Sequence, residues 1–297
     1  MKEMENIEYE IKRAINHMME TNYPRKEFWN MDSKLPNLIS GIRAGDDAVV
    51  VGNTVINMEG PYPLVLGSKT ALIHTTCDIV AMGAPPKYAM NAIQAKDEQE
   101  IKMAIDGLKK QSLGLNIPIV GGNTQTLEEL KSCMSVVVFG ELPDNRKIIK
   151  DGGAKPDDII AMVGHPVEGD TGTRIQKAKN KFDTFLELLN QGVEVNACKD
   201  ASRGGWLCNL LEMLVKAKKG IEINSIPYPR ATRYLGTYLV SMSEDSLKEA
   251  VNICMDNRCP IIPFGKITTD SCLSIGNKSY IDNEQMRELR KQFPYKY

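Results

Sequence analysis

The sequence predicts a two-domain α/β (α+β) protein, and three observations carry that prediction. The chain has 297 residues, against about 100–200 for one domain. Short apolar runs of strand type alternate with segments of helical period. A turn-rich stretch, Asp151-Gly152-Gly153-Ala154-Lys155-Pro156-Asp157-Asp158, divides the chain near its midpoint, and the alternation restarts beyond it. Domains at 1–150 and 151–297 are expected.

Met4, Ile7, Ile11, Ala14, Ile15 and Met18 repeat at helical spacing and predict a helix over 3–21. Residues 22–45 hold Pro24, Pro36 and two glycines and read as a loop. A buried strand is expected over 48–51. Gly52-Asn53 then turns the chain, and 54–58 returns as a second strand. Gly60-Pro61-Tyr62-Pro63 reads as a break. A helix over 68–83 follows, with Ser68 as its cap and Gly83 near its end. Next come a strand over 87–93, a helix over 97–113 stopping at Gly114, and a strand over 117–120. That strand feeds a Gly121-Gly122-Asn123-Thr124 turn, and 133–142 is a further strand. The second half predicts strands at 159–163, 234–241 and 261–267, with helices at 171–189, 206–219 and 244–256.

Composition narrows the function classes. Hydrophobic residues are 42% and charged residues 25%, which suits a packed globular core and not a disordered chain. Lys plus Arg is 37 and Asp plus Glu is 38, so the chain lacks the basic footprint of a nucleic-acid binder. Seven cysteines stand at 77, 133, 198, 208, 254, 259 and 272. Their odd number and the lack of CxxC spacing argue against a disulfide framework or a zinc knuckle. Reduced, buried thiols in a cytoplasmic protein are expected. The start, MKEMENIEYEIKR, is charged throughout, unlike a secretory signal. Apolar runs such as Val136-Val137-Val138-Phe139 fall far short of the roughly 20 residues of a membrane span.

Four segments carry candidate chemistry. Asp46 and Asp47 adjoin at a strand entrance, where like charges call for a cation or a donor; a solvated turn is the competing reading. His74, Cys77 and Asp78 share a small, apolar helix, with His74 and Asp78 four residues apart on one face. A His–Asp hydrogen bond and a ligand role stay equally open there. The glycines of Gly121-Gly122-Asn123-Thr124 permit close backbone approach to phosphate oxygens or simply make a tight turn. Lys199-Asp200-Ala201-Ser202-Arg203-Gly204-Gly205-Trp206 opens a helix. Either Asp200 or Ser202 caps it, or Arg203 and the helix end bind an anion.

Taken in order along the chain, these motifs resemble the aminoimidazole ribonucleotide (AIR) synthetase, or PurM-like, superfamily. The resemblance covers residues 38–275. It rests most on Gly45-Asp46-Asp47-Ala48-Val49, on Asp78-Ile79-Val80-Ala81-Met82-Gly83-Ala84-Pro85-Pro86, and on Gly152-Gly153-Ala154-Lys155-Pro156-Asp157-Asp158-Ile159-Ile160. The Asp-x-x-Arg-Gly-Gly form looks most like the branch of the hydrogenase-maturation carbamoyl dehydratase. The resemblance implies a homodimer whose N-terminal domains pair into a shared β-barrel, each followed by a C-terminal α/β domain. It implies ATP and Mg²⁺ as cofactors. Asp46, Asp47, Asp78 and Asn123 would be metal ligands, and Gly121, Gly122, Asn123 and Thr124 would line the phosphates. Asp200 and Arg203 would face an unidentified acceptor, a small molecule or a group on a protein partner.

The implied activity is Mg²⁺-dependent phosphoryl transfer from ATP to an oxygen of that acceptor, by an enzyme of kinase or ligase type. Two departures favour an alternative, a catalytically weak nucleotide-binding or maturation partner. Asn123 stands where the family carries an acidic residue, and Asn57 stands where an Asp is expected, with Glu59 nearby. These losses also disfavour thiamine-monophosphate kinase. The absence of Cys before Cys77 disfavours selenophosphate synthetase. On this reading Asp47 serves the site and not the core, so Asp47→Asn is expected to weaken Mg²⁺-dependent nucleotide binding without unfolding the chain.

Overall fold

A computed structural model of the protein describes residues 7–22 and 24–293. Helix α1 (Ile7–Asn22) begins the described chain; residues 3–6 of the expected first helix lie outside it. The expected loop at 22–45 contains a 3₁₀ helix, Pro24–Lys34, and strand β1 (Leu38–Ser40). The Asp32 carboxylate ties this helix to the turn after β1, accepting from the backbone N–H groups of Ile42 and Arg43. Strands β2 (Val49–Val51) and β3 (Thr54–Pro63) form the expected hairpin. β3 continues through the Gly60–Pro63 segment, because a register shift between Glu59 and Tyr62 leaves Pro61 out of the ladder, and pairing resumes at Tyr62 and Pro63.

Helix α2 (Leu64–Ala81) starts four residues earlier than expected. Ser68 lies inside it and donates to the Val65 carbonyl, so it is not the cap. α2 packs across α3 (Glu98–Leu115), whose N-cap is Asp97. A Cβ on Gly107 would stand 2.3 Å from the Ser68 carbonyl oxygen, so glycine sets this close crossing. Between the helices lies β4 (Pro86–Ala95); β5 (Ile119–Thr126) and β6 (Cys133–Glu141) complete a six-stranded mixed sheet, ordered β1-β2-β3-β6-β4-β5. The predicted Gly121–Thr124 turn is strand. β5 runs parallel to β4 at the sheet edge, and a Cβ on Gly122 would meet the Asn91 carbonyl oxygen at 2.3 Å. The glycine therefore serves strand packing.

The second sheet holds seven strands: β7 (Ile159–Val163), β8 (Ala197–Asp200), β9 (Gly220–Ile223), β10 (Tyr238–Met242), β11 (Ile261–Thr268), β12 (Leu273–Ile275) and β13 (Lys278–Ile281). Their order is β13-β12-β9-β11-β7-β10-β8, with only β12 and β9 parallel. Helices α4 (Thr171–Asn190) and α6 (Glu244–Asp256) cover one face; α1, α5 (Gly205–Ala217) and α7 (Asn283–Gln292) cover the other. Alternation along β7 shows the sandwich: Ala161 and Val163 join the core shared with α2 and α4, while Ile160 and Met162 join the core under α5. The first core is continuous from the first sheet through α2, α3 and α4 to the second. In the turn before β7, the Asp158 carboxylate gathers Lys155 N, Ser241 Oγ and Asn196 Nδ2, which gives the Gly-Ala-Lys-Pro-x-Asp motif a structural task.

Candidate functional site

Three carboxylates meet where the two sheets face each other across α2. Asp47 lies in the loop between β1 and β2, Asp78 in the last turn of α2, and Asp200 at the end of β8. One oxygen from each lies within 4.8 Å of the others. The local sequence forces them inward: α2 is buried around most of its surface and β8 along its whole length. Neither element offers Asp78 or Asp200 an exposed face.

The surrounding bonds fix the geometry. Asp47 Oδ1 accepts from Lys199 Nζ at 2.6 Å, and its Oδ2 from the Asp200 backbone N–H at 3.1 Å. Asp78 Oδ2 accepts from Asn57 Nδ2 at 2.5 Å. Beneath the three carboxylates lies a buried charge network. Lys199 also reaches Asp151 at 3.1 Å and Glu212 at 3.6 Å; Lys216 reaches Asp151 at 2.6 Å and Glu212 at 3.2 Å. Lys216 further donates to the Gly45 carbonyl, anchoring the loop that carries Asp47.

Burial pushes the Asp200 carboxyl up to about 8, reinforced by the Asp47 charge. It pushes Asp78 well above the usual range, with Asp200, Glu59 and Asp47 adding to it. Asp46 rises to about 8 through burial and the nearby Asp151 charge. Asp151 and Glu212 go the other way: burial opposes their charge, but the two lysines outweigh it. Lys199 stays well above its ordinary value because Asp47, Glu212, Asp151 and Asp200 face it.

These shifts set a pH dependence. Between about pH 4 and 8 the folded protein holds protons on Asp46, Asp78 and Asp200 that the unfolded chain has released, so stability falls as pH rises. Below about pH 4, Asp151 and Glu212 reverse the slope. Denaturant melts in EDTA are expected to show greatest stability near about pH 4–5, with a loss of up to about 1.4 kcal/mol per pH unit for each such carboxyl above it. A profile flat from about pH 5 to 8 contradicts this.

The structure brings together Asp47, Asp78 and Asp200, but not every residue singled out in the sequence. Asp46 turns away: its Oδ2 accepts from Ser40 Oγ at 2.6 Å. Asn123 is an exposed residue of edge strand β5, three strand spacings (about 14 Å) across the sheet from Asn57 on β3 and offset from it along the strands by the register. Gly121, Gly122 and Thr124 lie with it. Arg203 is exposed beside the site, and its charge reaches both His17 and His74. Gly204, with no capping side chain, is the N-cap of α5, so Asp200 is free for the cluster. The two open readings of His74 also resolve. Asp78 bonds Asn57, and His74 Nδ1 lies 3.3 Å from Tyr62 Oη, so no His74–Asp78 hydrogen bond forms.

Asp47 does more than its sequence motif implies. Both of its oxygens bind protein donors across the seam, which makes it a structural residue as well. Lys216 and Glu212 are site residues that no motif marks, while Lys199 and Asp151 stand at the edges of quoted segments without a role assigned to them. Glu212 and Lys216, four apart in an otherwise apolar helix, are a readable signal of a buried pair. Asp151 is hidden in a segment whose composition reads as linker.

Two mixed α/β sheets joined through one helical core, with acidic residues clustered at the seam, define the PurM-like class of fold. The chain belongs to the AIR synthase related protein family: the N-terminal domain of that family matches residues 41–142, and its C-terminal domain residues 165–273. An uncharacterized protein of Methanocaldococcus jannaschii is 67% identical over 99% of both chains. A selenide, water dikinase of Myxococcus xanthus is 27% identical over 66% of this chain and 63% of its own length. Among solved structures, Thermotoga maritima PurL complexed with AMPPCP superposes with a TM-score of 0.71 at 15% identity. That match covers 92% of this chain and 50% of PurL. The HypE–HypF complex gives a TM-score of 0.66 at 18% identity, covering 80% of this chain and 93% of the matched one. The chain thus spans about half of PurL and less than two thirds of the dikinase. No helix among the described residues is long and apolar enough to cross a membrane.

Proposed function

We propose that the protein binds ATP with Mg²⁺ and transfers a phosphoryl group to an oxygen of a small molecule or partner group. The convergence of Asp47, Asp78 and Asp200 carries this reading. An all-oxygen set of buried carboxylates suits a hard divalent cation, which would take the place of the protons that Asp78 and Asp200 hold in its absence. Bound there, Mg²⁺ would screen the phosphate charge that spreads during transfer. Asp47, Asp78 and Asp200 are the proposed ligands. Asp46 and Asn123, which the cluster leaves out, are not. Lys199 and the Asp200 N–H hold Asp47 in position, and Asn57 holds Asp78. An Asp at position 57 would add a fourth like charge to the cluster, whereas Asn57 contributes a donor. The loss of that carboxylate is therefore compatible with a working site. Arg203 lies on the acceptor side.

PurL has been solved with ATP, ADP and AMPPCP, and a selenide, water dikinase is among the relatives, which supports nucleotide use. Calorimetric titration of ATP with and without Mg²⁺, followed by ADP release, tests the reading. Mg²⁺-dependent binding with slow basal ADP release is the expected result. Binding without turnover under any acceptor mixture would favour a nucleotide-binding maturation partner, and no binding would reject both.

The reading extends to a cytoplasmic homodimer. The face of the first sheet turned away from α2 is apolar and uncovered: Ile56, Met58, Val137, Phe139, Tyr88 and Met90 lie side by side on three strands. Met58 is 63% and Met90 41% exposed. A contiguous patch of this kind marks an interface, and pairing two such faces would close the shared barrel the family resemblance implies. Met58→Asp is expected to convert a dimer to monomer in analytical ultracentrifugation, weakening association about 100-fold or more. A parent protein that sediments as a monomer would remove this part.

A further inference from the structure

His74 lies one turn before Asp78 on α2, so the two side chains leave the same helical face. Tyr62 reaches it from β3. The Tyr62 hydroxyl donates to Glu59 Oε2 at 2.7 Å and stands 3.3 Å from His74 Nδ1. A phenol has one proton, and the carboxylate at the shorter distance takes it. His74 must then be the donor in the second contact, which fixes the neutral tautomer with hydrogen on Nδ1. That tautomer presents a bare lone pair at Nε2. The Nε2 atom is buried and has no partner among the described residues. The Tyr234 ring lies on the imidazole with centroids 4.4 Å apart at 41°, and its hydroxyl is also buried without a partner there. A buried polar atom left without a partner destabilises the fold, so both atoms call for one. Lys181, Arg174 and Arg203 face His74 from the second half of the chain. Burial and these three cations push His74 down to about 3, which agrees with a neutral ring.

We propose that Glu59, Tyr62, His74 and Tyr234 form the acceptor subsite of this centre, in which His74 Nε2 accepts a hydrogen bond from a neutral O–H or N–H group of the ligand. Tyr234 supplies the complementary hydroxyl. Glu59 and Tyr62 are positioning residues that act through the His74 tautomer. A carboxylate offers no proton to the Nε2 lone pair and is disfavoured, so the subsite selects neutral hydroxyl or amide groups over acids. That the ligand is the phosphoryl acceptor rests on the function proposed above; the tautomer does not.

The test uses the full chain labelled with ¹⁵N-histidine and two-bond ¹⁵N–¹H correlation. Only three histidines are present, at 17, 74 and 165. The His74 pattern is assigned by its loss in His74→Gln or, should that variant not fold, by elimination with His17→Gln and His165→Gln. The expected parent pattern is neutral with hydrogen on Nδ1. Tyr62→Phe removes the acceptor of that hydrogen and is expected to shift the pattern toward hydrogen on Nε2. Formamide is expected to move the His74 Nε2 resonance, and formate at equal concentration to leave it. A parent ring protonated on Nε2, or an unchanged pattern in Tyr62→Phe, overturns the relay. Equal response to the two probes, or response to neither, overturns the subsite. ATP titration of the same sample separates the two readings: missing Mg²⁺-dependent binding rejects phosphoryl transfer and leaves the tautomer result standing.

Discussion

Asp78→Asn is expected to fold, to melt higher than the parent in EDTA, and to lose the Mg²⁺-dependent part of ATP binding. Asp78 faces Asp200, Glu59 and Asp47, and burial already disfavours its charge. Asparagine removes the charge at nearly constant volume and keeps a carbonyl oxygen for the Asn57 amide. The metal-free protein should gain about 1 kcal/mol, or about 1.5 °C in Tm for a chain of this size. Losing one charged ligand of a buried cation costs about 2–5 kcal/mol of affinity, a weakening of about 30-fold or more. The two effects have opposite signs, which is what separates a site residue from a core residue. A variant that melts lower and binds Mg·ATP normally would sink the ligand role. Asp47→Asn tests this less cleanly, because Lys199 and the Asp200 N–H both depend on the Asp47 carboxylate.

Lys216→Met should have the contrasting outcome, a loss of about 3–5 kcal/mol in folding stability. The Lys216 side chain has 0% exposure and bridges Asp151, Glu212 and the Gly45 carbonyl. Removing the ammonium leaves Asp151, Glu212 and the Gly45 carbonyl buried with one cation fewer beside Lys199, which costs stability. Adding Asp151→Asn should recover part of the stability by deleting one uncompensated charge. Urea melts at constant m-value measure both. A Lys216→Met variant within about 1 kcal/mol of the parent would show that the network contributes specificity and little stability.

Long, capped elements are the legible ones. The helix over 244–256 is found at its expected bounds, with Ser243 as its cap, and Asp97 caps α3 as its position suggests. Strands β8, β9, β12 and β13 are three or four residues long and carry too little periodicity to read; their pairing partners define them. The glycines at 121 and 122 read as a turn because close approach between strands and a reversal of the chain need the same residue type. At the site, Asp47 and Asp78 are visible from motif order. Their meeting with Asp200 is not, because contact between positions 47 and 200 joins residues 153 apart in sequence. The role of Lys199 is hidden for a related reason: it opens the quoted helix-start motif as a polar residue, and its burial is a property of the assembled sheet.

The ties from Lys199 and Lys216 to Asp47 and Gly45 bear on how such a chain can be recombined. The first half of the sequence lends one carboxylate and one carbonyl to an ionic lattice whose two lysines and other carboxylates, Asp151 and Glu212, stand in the second. The segment with Asp47 brings an anion and a carbonyl without their cations, and β8 and α5 bring the two ammonium groups, Lys199 and Lys216, that receive them. Neither half is a self-contained cassette. A chimera that takes its first half from a relative must import a matching acidic loop with it, or the graft leaves Lys199 without the Asp47 carboxylate and Lys216 without the Gly45 carbonyl.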